Sequence, residues 1–265
     1  MLTKPTQLES LLRRDRTVVV AGLAIVTVTA WVYLFSIVSR VTAADVVGAM
    51  DMALEMTMPA THGWGAAELL LLFVMWASMM IAMMVPSVAP LILMFTRANR
   101  RKSSDRVVGP AGILLLGYLL VWAGFSVLAT LAQWRLHSAA LLSSMMVSSS
   151  SVLEGFLLIA AGAFQFTALK QACLKHCRSP LGFLMSHWRE GQWGAFTMGL
   201  KHGVYCVGCC WLLMALLFVT GVMNLFWMAG IAVFVLVEKI APRGDLIGRF
   251  AGAVLIVAGI TLNVR

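Results

Sequence analysis

All five cysteines of the chain fall within one short stretch, at Cys173, Cys177, Cys206, Cys209 and Cys210. His176 sits between the first two, and His202 lies four residues before the third. On a helix, steps of four and three residues keep His202, Cys206 and Cys209 within about 60° of arc, with Cys210 about 40° beyond Cys206. Cys173 and Cys177 share a face for the same reason. Thiolate and imidazole donors in such numbers suit Zn²⁺ or Cu(I), and Lys170, Lys175 and Lys201 nearby favour the thiolate form. A single cysteine in an apolar helix is ordinarily a small packing residue, so the weight rests on the clustering. The same thiols could instead perform thiol–disulfide exchange.

A second set of soft donors is thioether. Met75, Met79 and Met83 recur every four residues, with Met80 and Met84 beside them. Such a stripe either packs against a neighbouring helix or passes a soft cation along its sulfurs. Pro86 and Pro90 follow; each removes a backbone donor, and a kink is expected there. Upstream, Met50, Met52, Met56 and Met58 alternate with Asp51 and Glu55 and precede His62. This segment reads either as a copper-capture loop or as an interfacial segment using Met as apolar filler. The candidate metal ligands are therefore Cys173, Cys177, Cys206, Cys209, Cys210, His202, His176, Met79, Met83, Met52, Met56 and His62. Copper is the expected metal, with zinc as the alternative. No catalytic residue is assigned, because the chain contains no nucleophile elbow, phosphate loop or dinucleotide fingerprint.

These residues need elements to position them. Of 265 residues, 61% are hydrophobic and 12% charged, against roughly 25% charged in a soluble domain. Together with a mean hydropathy of +0.91, this excludes an ordinary soluble enzyme and points to an all-α polytopic transmembrane bundle in the lipid bilayer. The chain reads as one integral membrane domain, 1–265, with spans near 17–38, 66–95, 107–134, 152–169, 203–220, 223–237 and 246–262. The fifth and sixth come from one run divided at Gly221 and Asn224. About seven spans are expected, or six plus a re-entrant hairpin. With the N-terminus cytoplasmic, 17 of the 20 lysines and arginines face inward. That is the expected charge bias of an inner-membrane, multi-pass protein. It also explains the net charge of +9 without a nucleic-acid partner. The cysteines then lie on the reducing side, where structural disulfides are not expected. Glu238 and Lys239 read as an interfacial ion pair with each other.

Three blocks resemble a known family. They are Trp76-x-x-Met79-Met80-x-x-Met83-Met84-x-Pro86-Ser87; Leu169-Lys170-x-x-Cys173-Leu174-x-x-Cys177-Arg178-x-Pro180-Leu181; and Gly203-x-Tyr205-Cys206-x-Gly208-Cys209-Cys210-Trp211-x-Leu213-Met214 with Gly221-Val222-Met223-Asn224 and Glu238-Lys239. The chain between Ala66 and Arg243 is similar to a bacterial family of predicted metal-binding integral membrane proteins of unknown function. The resemblance implies metal binding through the motif Cys, His and Met residues, and no particular reaction. The leading reading is a copper-handling membrane protein, serving uptake or delivery to a membrane or periplasmic metalloprotein. A thiol–disulfide oxidoreductase and a structural subunit of a larger membrane complex are the alternatives.

The charge bias yields a direct expectation. Cytoplasmic activity reporters fused near Arg101 and Arg189 should be active, and periplasmic reporters should be active near Ser149. The reverse pattern would overturn the orientation.

Overall fold

The computed structural model describes residues 7–52, 65–102, 108–138, 151–222 and 224–264, and among these every element is helical. In chain order they are α1 (Gln7–Met52), α2 (Ala66–Lys102), α3 (Val108–Ser138), α4 (Ser151–Phe164), α5 (Ala168–Arg178), α6 (Pro180–His187), α7 (Gly191–Ala215), α8 (Leu217–Thr220), α9 (Leu225–Ile240) and α10 (Gly244–Val264). Five stretches are long and apolar enough to cross a membrane: Arg14–Arg40, Ala66–Arg100, Val108–Ser138, Gly191–Thr220 and Gly244–Val264. α4 and α5 supply a sixth if their pair, bent by 64°, is one span.

The helices differ from the expected spans at two places, each for a local reason. The fourth expected span breaks after Phe164. Successive N–H groups of Gln165, Phe166 and Thr167 reach back to the carbonyls of Gly162, Ala163 and Phe164, each at 3.1 Å. Thr167 then caps α5 by accepting from the Lys170 N–H. The stretch after Lys170, expected as a loop, is instead α5, α6 and the first half of α7. Ser179 caps α6 and Pro180 occupies its first turn, where a missing N–H costs nothing. The run from Gly203 to Val237 divides where expected. Gly221 adopts a φ of 89°, and Asn224 caps α9 by accepting from Trp227. α9 is only 16 residues long, or about 24 Å. α2 runs unbroken through Pro86 and Pro90.

α2 and α7 are the most enclosed of the long helices. α1 and α3 flank α2, α3 lies along α7, and α10 lies along α4. Close crossings depend on missing side chains, as between helices in membranes generally. A Cβ on Gly199 of α7 would collide with the Leu114 carbonyl of α3. At the α4–α10 crossing, a Cβ on Gly162 would stand 2.6 Å from the Gly252 carbonyl. One buried ion pair, Asp15 with Arg100, ties α1 to the end of α2.

Gly199→Ala should therefore lower thermal stability in detergent by about 1–3 kcal/mol, as overpacking does. Gly124→Ala on α3, where a Cβ meets nothing within 4 Å, should be neutral or slightly stabilising. Equal unfolding temperatures for the two variants would refute the close-crossing account.

Candidate metal centre

Four of the five thiols converge where α5 meets α7. Cys177, Cys206, Cys209 and Cys210 are all buried, and Cys173 is half-buried. The Cys177 thiol lies within hydrogen-bonding reach of Cys206 and Cys209, and Cys206 also meets Cys210. The Cys173 sulfur stands only 2.8 Å from where a Cβ on Gly208 would be, so the absent side chain of Gly208 admits α5 to the face of α7. The Cys209 and Cys210 thiols donate to the Cys206 carbonyl at 3.1 and 2.9 Å.

Cys206 is the hub. The Lys239 ammonium of α9 donates to its sulfur at 3.0 Å and to Ser87 Oγ of α2, also at 3.0 Å. The Tyr118 hydroxyl of α3 lies 3.1 Å from the same sulfur and 3.2 Å from the Met84 carbonyl. Three other helices, α3, α5 and α9, thus present polar groups to one sulfur of α7 inside an apolar bundle.

Glu238 and Lys239 do not pair with each other, contrary to expectation. Both are buried, and consecutive helical residues point in different directions. Glu238 instead holds the Lys170 ammonium of α5, at 2.7 and 2.9 Å to its two oxygens. Burial of charges at this depth requires partners of this kind.

The histidines divide. His202 is buried, its ring 6.0 Å from Tyr118 and 5.1 Å from Phe183 of α6, and its Nδ1 has no hydrogen-bond partner among the described residues. It lies close enough to Cys206 and His176 to interact electrostatically with both. His176 is half-buried and stacks on Tyr205 with ring centres 4.2 Å apart. Met79 and Met83 are buried in α2 along with Met75, Met80 and Met84. Met52 ends α1, while Met56 and His62 lie outside the described residues. Ser87 and Lys239 stood in the family blocks of the sequence without a role at the thiols. Tyr118 and His187 were not singled out, and neither carried a distinguishing signal.

Among the described residues, no group of three or more His, Cys, Asp or Glu side chains stands ready as a metal cage. The thiols are closed on one another, on the Cys206 carbonyl and on Lys239. The donor set is sulfur-rich and soft, which is the chemistry that selects Cu(I).

Residues 73–262 match the PpoB2 family, whose description is copper chaperone. The chain belongs to this family. No curated protein and no solved structure matches it. Membership of the PpoB2 family assigns a copper-related role.

Glu238→Gln should leave the Lys170 charge buried and unpaired, at a cost of about 3–5 kcal/mol. Lys170→Met combined with Glu238→Met should recover most of that loss. Thermal unfolding of the three proteins decides it, and a double variant no more stable than Glu238→Gln would refute the pairing.

Proposed function

We propose that the protein is a single-domain, multi-pass protein of the bacterial inner membrane that holds Cu(I) among its α5 and α7 thiols and delivers it to a membrane or periplasmic copper protein. Its N-terminus is cytoplasmic, and α9 makes the shortest of seven passages. Copper is the cargo, and no catalytic step is assigned. The observation that carries this reading is the buried Lys239 ammonium, 3.0 Å from Cys206 within a cluster of four thiols. Cu(I) held by two thiolates bears one negative charge. One adjacent ammonium cancels it, so the loaded centre is neutral in a medium where net charge is costly. Cys206 is the first ligand, with Cys177, Cys209 or Cys210 as the second and His202 beside them. The buried stripe containing Met79 and Met83 supplies weaker thioether donors toward the opposite face, where Met52, Met56 and His62 would capture or release the ion.

Cys206→Ser with Cys209→Ser exchanges soft donors for hard ones at little change in size. Copper bound to the purified protein should fall sharply while insertion and folding persist. Lys239→Met should weaken Cu(I) retention by at least about tenfold, since the charge it removes is close and buried. Unchanged copper content in the cysteine variant would overturn the thiol centre. Replacing Met50, Met52, Met56 and Met58 with leucine conserves volume. It should lower copper acquisition only when copper is scarce.

A further inference from the structure

His187 belongs to no motif singled out in the sequence, yet the fold brings it to His176, with ring centres 6.2 Å apart. The two rings come from different helices, α6 and α5, and both are half-buried, so one side of each remains accessible. Both are held by stacking: His176 lies on Tyr205 at 4.2 Å, and His187 lies on Phe183 at 4.8 Å. Both also use Nδ1 in the same way. His176 Nδ1 donates to the Ala172 carbonyl at 3.0 Å. His187 Nδ1 meets the Phe183 carbonyl at 3.3 Å and Ser186 Oγ at 2.8 Å. A carbonyl only accepts, so in the neutral form of each ring this contact places the proton on Nδ1 and leaves Nε2 its lone pair. A backbone carbonyl on one ring nitrogen is the usual means of fixing the tautomer and orientation of a metal-binding imidazole.

The spacing suits one ion. An imidazole nitrogen sits about 2 Å from a bound zinc ion, with its ring centre roughly 1 Å further back. Two rings facing one ion from opposite sides therefore have centres near the separation seen here. A two-coordinate ion places no demand on the angle between the ring planes, which is 69°. Behind the pair stands Phe183, whose ring is 5.1 Å from buried His202, and His202 in turn neighbours Cys206.

Building on the copper reading above, we propose that His176 and His187 form a second, outer Cu(I) site, ligating through Nε2, and that this site is the exchange port of the buried thiol centre. Neutral imidazoles hold Cu(I) less tightly than thiolates do, so a bis-imidazole port can accept the ion and give it up again quickly. His202, with Nδ1 unpartnered among the described residues, is the relay between the two sites.

The test uses the full-length protein in detergent, loaded anaerobically with Cu(I) and challenged with a water-soluble Cu(I) chelator. X-ray absorption distinguishes nitrogen from sulfur ligation. The native chain should bind two copper ions, one of them nitrogen-ligated. His176→Gln with His187→Gln should bind one, ligated by sulfur, and should surrender it to the chelator more slowly by about tenfold or more. Retained sulfur-bound copper shows that this variant folds. His187→Gln alone leaves the His176–Tyr205 stack intact and should show the same loss. Cys206→Ser with Cys209→Ser should keep the nitrogen-bound ion, so the port and the thiol centre fail separately. A histidine variant with native copper content and native release rate would overturn the port. So would a native chain lacking nitrogen-bound copper.

Discussion

Two adjacent charges at the end of α9 constrain the packing of the bundle around them. Glu238 and Lys239 are both buried, and neither could remain there without a partner, because an unpaired charge in a low-dielectric interior costs several kcal/mol. Being consecutive on a helix, they face different ways and must be satisfied by different neighbours. Glu238 takes Lys170 and so fixes α5. Lys239 takes Ser87 and Cys206 and so fixes α2 and α7. The thiol cluster lies where these demands meet. The α4–α5 elbow serves the same arrangement, since it carries Lys170 and Cys177 on one short helix whose direction differs from that of α4 by 64°.

Much of this was legible in the sequence, and the exceptions have physical causes. Hydropathy located the long helices because lipid leaves little choice of structure. Spacing placed Cys206 and Cys209 on one face of a helix because helical periodicity is rigid. The division at Gly221 followed from a backbone conformation that side chains rarely adopt. The segment after Lys170 misled because its polarity resembles that of a loop. Its helices are short and amphipathic, and only Thr167 and the Ser179–Pro180 pair mark their starts. The partners of Glu238 and Lys239 were not legible, because adjacency in sequence suggests a pair that helical geometry forbids. His187 had no local context, and its significance depends on α6 folding back beside α5.

The methionine stripe shows the limit of periodicity as an argument. Met79 and Met83 are as buried as the spacing implied, and burial agrees with both packing and ligation. A link to the thiols runs through main chain. The Met84 carbonyl receives the Tyr118 hydroxyl, which itself touches Cys206. The stripe and the cysteines thus form one continuous interior.

Lys239 has a further consequence for which ions can compete for the chamber. In the proposed centre two thiolates and one ammonium sum to a single negative charge, which Cu(I) cancels. A divalent ion on the same two thiolates would leave one positive charge uncompensated in an apolar interior, where it is costly. Ligand softness discriminates by bond strength, whereas the resident ammonium would discriminate by the total charge of the loaded centre. A lysine within the sulfur cluster would thereby set the valence that this interior tolerates.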